Sequence, residues 1–261
     1  MKRKLFSVVL AAAMVLSLTA CEKKTISDAT GSVSSASAEA SVEASVETST
    51  ETSVEASVET STEASVEESD EEGFSIGDVE SDVYENEFFN IKVTAAEGFT
   101  FADSETIAAI GQYTAESFAD SDIDLAKQSA EAIESGATIT DFYLSDAEMI
   151  NTLNLTISSG KGIKPSMVDA LMDQMIPVLE ETFASQGFLN VKSERSTTTF
   201  CGEEVSCINT TAELPISETE TIPVFVKQVE LIKDGYVGCI TANTYAEDGT
   251  EDLLSMVTKL N

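Results

Sequence analysis

The chain has 261 residues and a formal net charge of −33 at pH 7, with 47 Asp and Glu residues against 14 Lys and Arg. An acidic surface repels nucleic acid, which proteins bind through Lys and Arg contacts to phosphate, so no nucleic-acid partner is expected. The chain also has no His and no Trp. The lack of His excludes the usual Ser-His-Asp and Cys-His catalytic arrangements and every His-ligated metal site.

Residues 1–20 have the layout of a secretory signal peptide. Three basic residues at positions 2–4 precede an apolar run over 5–18, which is too short for a transmembrane helix of about 20 residues. Residues 18–21 read Leu-Thr-Ala-Cys, a pattern that resembles the lipobox of bacterial lipoproteins. The resemblance implies cleavage before Cys21 and a diacylglyceryl group on Cys21. Because two acyl chains give stable anchoring, it further implies a lipid-anchored protein on the extracytoplasmic face of the cell membrane; the alternative is a secreted protein without a lipid on Cys21.

Residues 21–73 are predicted to form a disordered acidic tether. A twelve-residue unit, SVEASVETSTE followed by Thr or Ala, occupies residues 41–52 and repeats over 53–64. Its apolar residues are single Val and Ala among Ser, Thr and Glu, which bury too little area to offset the chain entropy lost on folding. Repulsion among the acidic side chains should extend the segment and hold the folded part away from the membrane.

Residues 74–261 are predicted to form one α+β domain, with nine Lys and Arg against 33 Asp and Glu. A chain of this length buries enough surface to fold without disulfide bonds. Alternation of apolar residues over 84–94 predicts one or two short strands. Ser104 is expected to cap a short helix that runs through Ile110, and Ile and Ala at helical spacing predict a second helix over 123–133.

A β-hairpin and the longest helix follow. Residues 138–144 and 150–158 predict two strands joined by a polar turn. Ser166 with Asp169 resembles a capping box and predicts the start of the long helix. The apolar face of this helix is expected to fill the core, with its methionines as adaptable core residues; it contains Val168, Leu171, Met172, Met175, Leu179 and Phe183.

The remaining sequence is mostly strand-like. The Asp234-Gly235 pair is the strongest hairpin signal of the chain. Residues from Thr250 to the end are expected to form a terminal helix, with Leu253, Val257 and Leu260 facing the core. Adjacent hairpins with a few helices predict an α+β fold, with a largely antiparallel sheet and helices packed on its faces.

Three segments carry a resemblance beyond the signal peptide: YENEFF and IKVT within residues 84–94, and EGFTF at 97–101. In their order with the later elements, they resemble the PsbP-like domains of lipoproteins from anaerobic Gram-positive bacteria. The chain departs from that pattern at Asn90 and Phe99, where the family often has Gly and Trp. The resemblance covers residues 80–261 and implies an α/β/α sandwich with a binding or scaffolding role and no shared catalytic residues.

Cys201, Cys207 and Cys239 are an odd number of cysteines in a domain expected outside the cytoplasm. Cys207 and Cys239 both fall in predicted strands of one meander, so one interpretation is a disulfide bond between them. The other is three reduced cysteines that act as small core residues. A Cys nucleophile would lack a His base, and three thiols without Cys-x-x-Cys spacing do not indicate zinc.

Acidic residues at Asp120, Asp122, Asp124 and Glu131 match positions 1, 3, 5 and 12 of a calcium-binding loop. The sixth position, where such a loop needs Gly, is Leu125. Acids just before a helix are also an ordinary capping pattern, which is the favoured interpretation. No metal site and no cofactor are therefore predicted.

The sequence as a whole predicts a membrane-anchored lipoprotein that presents a non-catalytic binding or scaffolding domain. Its expected partners are the membrane, through the lipid on Cys21, and an unidentified envelope protein or small ligand. Two alternatives stay open: an extracytoplasmic hydrolase that uses paired carboxylates, and a calcium-dependent adhesion or structural module.

Overall fold

A seven-stranded antiparallel sheet organises the folded part of the chain. The computed structural model describes residues 74–119 and 123–260, and the predicted signal peptide, Cys21 and the tether lie outside these residues. Among the described helices none is both long enough and apolar enough to cross a bilayer.

The described part of the chain contains short strands, three longer helices and four long strands. In chain order they are β1 (Asp78–Glu80), β2 (Val83–Asn86), β3 (Ile91–Thr94), β4 (Phe99–Phe101), α1 (Ser104–Ala119), α2 (Asp124–Glu134), β5 (Thr138–Asp146), β6 (Thr152–Ser159), a 3₁₀ turn (Pro165–Met167), α3 (Val168–Ser185), β7 (Leu189–Phe200), β8 (Glu203–Pro215), β9 (Thr221–Lys233), β10 (Tyr236–Tyr245), α4 (Thr250–Leu254) and β11 (Val257–Lys259).

The large sheet has the strand order β4-β5-β6-β10-β9-β8-β7, and a separate four-stranded sheet has the order β1-β2-β3-β11. The β9–β10 hairpin forms as predicted, with Asp234 at φ 44° and Gly235 at φ 86°. Two residues with positive φ match the turn that the right-handed twist of paired strands favours. The predicted α+β class with a largely antiparallel sheet is confirmed.

The four-stranded sheet covers one face of the large sheet, called here the small-sheet face. Tyr84, Ile91 and Val93 of the small sheet pack there against leucines of β6 and against Ile240 of β10. Asn90, in the β2–β3 turn, adopts φ 58°. Asn tolerates this left-handed conformation better than most residues, so it suits this turn.

The three longer helices cover the opposite face, called here the helix face. Helix α3 packs its predicted apolar stripe on Ile208, Val224 and Val226 of strands β8 and β9. Helices α1 and α2 pack against Tyr143 of β5. The large sheet is therefore buried between helices on one face and a second sheet, with the short helix α4, on the other.

The prediction was wrong at the C-terminus. The terminal helix ends at Leu254, and residues 257–259 form strand β11, which pairs with β3. Val257 and Leu253 are both buried, as predicted. The apolar spacing identified inward-facing residues, but a helical turn followed by a strand presents the same residues to the core.

Two helix starts also differ from the prediction. Asp103, rather than Ser104, caps α1, because its Oδ1 accepts a hydrogen bond from the Thr106 N–H at 2.8 Å. That hydrogen bond lowers the pKa of the Asp103 carboxyl group. Ser166 makes no capping hydrogen bond and lies instead in the 3₁₀ turn that precedes α3.

Asp141 ties the small sheet to the large one. It occupies a β-bulge in β5, and its carboxylate accepts hydrogen bonds from the Tyr84 hydroxyl at 2.5 Å, Asn86 Nδ2 at 2.9 Å and the Gly77 N–H at 3.0 Å. Tyr84 and Asn86 are fully buried. Burial, and secondly the charge of Asp141, raise the pKa of Tyr84 far above its ordinary value, so the hydroxyl remains a donor.

We expect Asp141→Ala to lower the free energy of unfolding by about 3–5 kcal/mol, because it leaves two buried donors without an acceptor. Urea unfolding at neutral pH measures the change, and Asp78→Ala, at an exposed position of the edge strand β1, is the control. A loss below about 1 kcal/mol would show that Asp141 does not hold the sheets together.

Candidate functional site

The helix face of the large sheet carries a group of polar side chains at its centre, on strands β5, β6, β10 and β9. Cross-strand pairs place Asn154 beside Thr241, and Cys239 beside both Thr156 and Glu230. All members are at least nine-tenths buried. We call this group the polar seam; its members are Thr138, Tyr143, Asn154, Thr156, Gln228, Glu230, Cys239, Thr241 and Asn243.

Strand alternation explains why polar side chains gather here. In β6 the residues Leu153, Leu155 and Ile157 join the core under the small sheet, so Asn154 and Thr156 point to the helix face. In β10 the same alternation turns Cys239, Thr241 and Asn243 to the helix face. The β-bulge at Asp141 shifts the alternation within β5, which lets Thr138 and Tyr143 share that face although they are five residues apart.

Most polar atoms of the seam make no hydrogen bond. Eight of its buried side-chain oxygens have no partner of normal geometry in the described part of the chain. Buried polar groups in folded proteins are almost always hydrogen-bonded, so such a cluster indicates a place where something else supplies the partners. These atoms are Thr138 Oγ1, Tyr143 Oη, Asn154 Oδ1, Thr156 Oγ1, Gln228 Oε1, both carboxyl oxygens of Glu230, and Asn243 Oδ1.

The contacts that the seam makes internally are few and long. Gln228 Nε2 lies 3.5 Å from Thr241 Oγ1 and 3.6 Å from Cys239 Sγ. Cys239 Sγ lies 3.6 Å from Thr241 Oγ1. A thiol is a weak hydrogen-bonding group, so these contacts satisfy little of the seam's capacity.

Glu230 is the acidic group of the seam. Burial raises the pKa of its carboxyl group to about 8, against an ordinary value of 4.5, and the Cys239 thiol opposes this shift. No second carboxyl group among the described residues acts on that pKa.

The helices on both sides of the seam are fixed to the outer strands. Arg195 of β7 forms ion pairs with Asp173 at 2.8 Å and Asp169 at 3.1 Å, both on α3. The Ser193 N–H donates a hydrogen bond of 2.8 Å to Glu180 of the same helix. At the other side, Phe118 of α1 is buried in the cluster around Tyr143. The seam lies between these two packed regions.

All three cysteines of the described residues are free. Cys207 packs in the core under the small sheet, whereas Cys239 lies on the helix face, and β9 separates their strands. A disulfide bond between them is therefore geometrically excluded. Burial raises the pKa of the Cys201, Cys207 and Cys239 thiols, which is the opposite of the shift that activates a nucleophilic cysteine.

The predicted calcium loop is described only in its second half. Asp124 and Glu131 lie in helix α2, so positions 5 to 12 of that loop are helical, while Asp120, Ser121 and Asp122 fall outside the described residues. Within the described ranges, no group of three or more acidic or thiol side chains is arranged to hold a metal ion.

The sequence analysis did not find the polar seam. In β6 the alternation of Leu and Ile with Thr, Asn and Ser was a visible signal. That alternation ordinarily indicates a strand with one face in water, yet β6 is buried on both faces from Thr152 through Ser158. Burial of the second face cannot be recognised from the local sequence of β6.

We expect Glu230→Gln to change how stability depends on pH. The folded protein holds a proton on Glu230 that the unfolded chain releases above pH 4.5. The unfolding free energy of the wild type should therefore fall, relative to the variant, as pH rises from about 4.5 to 8. The slope is about 1.4 kcal/mol per pH unit and the total is on the order of 5 kcal/mol.

Urea unfolding of both proteins at pH 5, 6, 7 and 8 measures this difference. Glu204→Gln, which removes the same charge from an exposed position of β8, is the control and should parallel the wild type. A constant difference between wild type and Glu230→Gln across the range would show that Glu230 ionises normally.

Comparison with known proteins finds similarity among solved structures. No protein-family model matches the chain, and no curated protein is significantly similar to it. Among solved structures, the chain is similar to cyanobacterial PsbP (CyanoP) from Synechocystis sp. PCC 6803, with a TM-score of 0.36 and 11% identity over 72% of this chain and 95% of that chain. This neighbour is a PsbP protein, and the sequence resemblance was to PsbP-like domains. A likeness at this level assigns no functional residues.

Proposed function

We propose that this chain is a lipid-anchored protein of the extracytoplasmic membrane face, and that its α+β domain binds a small polar ligand in the polar seam without catalysing a reaction. The anchor rests on the sequence: a signal peptide over residues 1–20, a lipobox-like Cys21, and an acidic tether over 21–73. The binding function rests on one structural observation, the eight unpartnered oxygens of the seam.

The energetic cost of these oxygens supports an occupant. Each buried polar group without a hydrogen bond costs about 1–3 kcal/mol. Eight such groups would cost on the order of 10 kcal/mol, which is as large as the whole stability of an ordinary domain, about 5–15 kcal/mol. A stable domain therefore needs polar molecules in this seam, either ordered water or a ligand.

The arrangement of the seam favours a ligand site over a water-filled structural network. Polar networks that serve structure are satisfied chiefly by their own members. Here the members share long contacts around Gln228 and Thr241, and the carboxyl group of Glu230 is buried beside the Cys239 thiol. Binding sites accept such a loss of stability because the ligand restores it.

The chemistry of the seam supports binding rather than catalysis. Among the described residues no second carboxyl group acts on the pKa of Glu230, and the Cys239 thiol has a raised pKa because it is buried. A thiol that stays protonated is a poor nucleophile. These groups can hold a ligand by hydrogen bonds but do not form an acid–base pair.

The first test compares two identical substitutions on the helix face. Thr156→Val removes a hydroxyl group without a partner, and Thr210→Val removes one that bonds Ser193 Oγ at 2.8 Å. Without ligand, we expect Thr156→Val to be neutral or to stabilise by about 1 kcal/mol, and Thr210→Val to destabilise by about 1 kcal/mol. Urea unfolding of the whole chain measures both, and equal losses would contradict an unsatisfied seam.

The same variants test ligand binding directly. Thermal unfolding of the wild type is screened against sugars, amino acids, amines and polyols. We expect at least one compound to raise the midpoint in a concentration-dependent way, and we expect Thr156→Val to lose this effect while Thr210→Val keeps it. A flat screen, or an equal response of both variants, would contradict a ligand site in the seam.

The anchor has its own test. We expect Cys21→Ser to move the protein from the membrane fraction to the soluble fraction and to abolish incorporation of labelled fatty acid, because the acylated thiol is gone. Cys201→Ser, a free and partly buried cysteine of the domain, is the control. Membrane retention of the Cys21→Ser protein without label would show that something other than a lipid holds it.

A further inference from the structure

We infer that the ligand of the polar seam carries a primary ammonium group, which binds beside the carboxyl group of Glu230 and donates hydrogen bonds to the neighbouring amide oxygens. This inference rests on the proposed function and narrows it to one class of ligand. Three properties support it. The unpartnered atoms of the seam are oxygens, no basic residue among the described ones faces Glu230, and the domain has a net negative charge.

The unpartnered atoms of the seam are acceptors. Five of the eight are carbonyl or carboxyl oxygens, belonging to Asn154, Gln228, Glu230 and Asn243. The other three are hydroxyl groups, which can accept as well as donate. None of the eight atoms can only donate, and both oxygens of Glu230 become acceptors once its carboxyl group ionises. The complementary ligand group is one that donates several hydrogen bonds and accepts none, and a primary ammonium group has three donors and no acceptor.

The described residues supply no cation to Glu230. The basic residues nearest along its strand are Lys227, three residues earlier, and Lys233, three residues later. Because three is an odd number, Lys227 lies on the opposite face of β9, where its Nζ forms an ion pair with Glu251 of α4. The carboxyl group of Glu230 therefore faces only uncharged polar groups among the described residues. A ligand ammonium group would lower the pKa of this carboxyl group and allow it to ionise.

The charge of the domain favours the same class of ligand. Residues 74–261 carry nine Lys and Arg against 33 Asp and Glu. This field attracts cations toward the domain and repels anions. A neutral polyol could satisfy the acceptors but would leave the carboxyl group protonated, and a bare metal ion would need more oxygen ligands around it than one carboxyl group and a few amides readily provide.

The test uses the smallest ammonium probe, so that the shape of the natural ligand does not decide the outcome. Methylammonium chloride is titrated into the whole chain at pH 7, with potassium chloride at equal ionic strength and methanol as matched probes. Binding is followed by thermal unfolding and by ¹³C NMR of the glutamate carboxyl carbons, with the Glu230 signal assigned by its loss in Glu230→Gln. We expect methylammonium to bind about tenfold or more tightly than potassium, and to shift the Glu230 carbon toward its ionised position.

Two variants distinguish a failure of the ammonium inference from a failure of the proposed binding function. Glu230→Gln should lose the preference for methylammonium, whereas Glu204→Gln, with the same change in net charge, should keep it. Equal effects of methylammonium and potassium, with no NMR shift at Glu230, would overturn the inference. If methanol or the screened polyols then bind in a way that Thr156→Val abolishes, the proposed function stands with a neutral ligand. If no probe and no screened compound binds, both are overturned.

Discussion

Burial of the two central strands on both faces is the constraint on which the rest of this structure depends. Strands β6 and β10 lie in the middle of the large sheet, under the small sheet on one side and under the helix layer on the other. Their apolar members, such as Leu155 and Ile240, fill the core beneath the small sheet. Strand alternation then forces the remaining members, Thr156 and Cys239 among them, into the opposite layer. The polar seam is therefore a direct consequence of polar residues in strands that have no solvent-facing side.

Stabilising contacts around the seam offset the cost of burying its polar groups. Apolar clusters around Phe183 and Phe118 lie to either side of it, and each fully buried large side chain contributes about 1.5–3 kcal/mol. Asp141 connects the two sheets, and Arg195 fixes α3 to the outer strand β7. The stabilising contacts thus surround the polar seam, which leaves its own polar groups free for a ligand. Stability and the proposed binding function are supplied by different residues.

Local signals in the sequence were sufficient to predict most of the fold, but they predicted none of the candidate site. The Asp234-Gly235 turn, the hairpin of β5 and β6, and the apolar stripe of α3 were predictable because each depends on residues close together in the chain. Strand β11 was missed because its partner, β3, lies more than 160 residues earlier. The seam was missed because Asn154 and Thr156 look like the water-facing side of a strand, and nothing in the local sequence shows that this face is buried. The lipid anchor on Cys21 lies outside the described residues and stays a prediction.

Strand geometry also explains why Glu230 has no ion pair with the two lysines that lie near it along β9. Lys227 and Lys233 each lie three residues from Glu230 on β9, so both point to the small-sheet face. Lys227 pairs there with Glu251, and Lys233 donates to the Phe88 carbonyl and lies 5.1 Å from the centroid of the Phe88 ring. A shift of either lysine by one position would bring a cation into the seam and satisfy Glu230 internally. The period of two along β9 thus separates the acid from its available bases, and the acceptor-rich character of the seam follows from the sequence of that one strand.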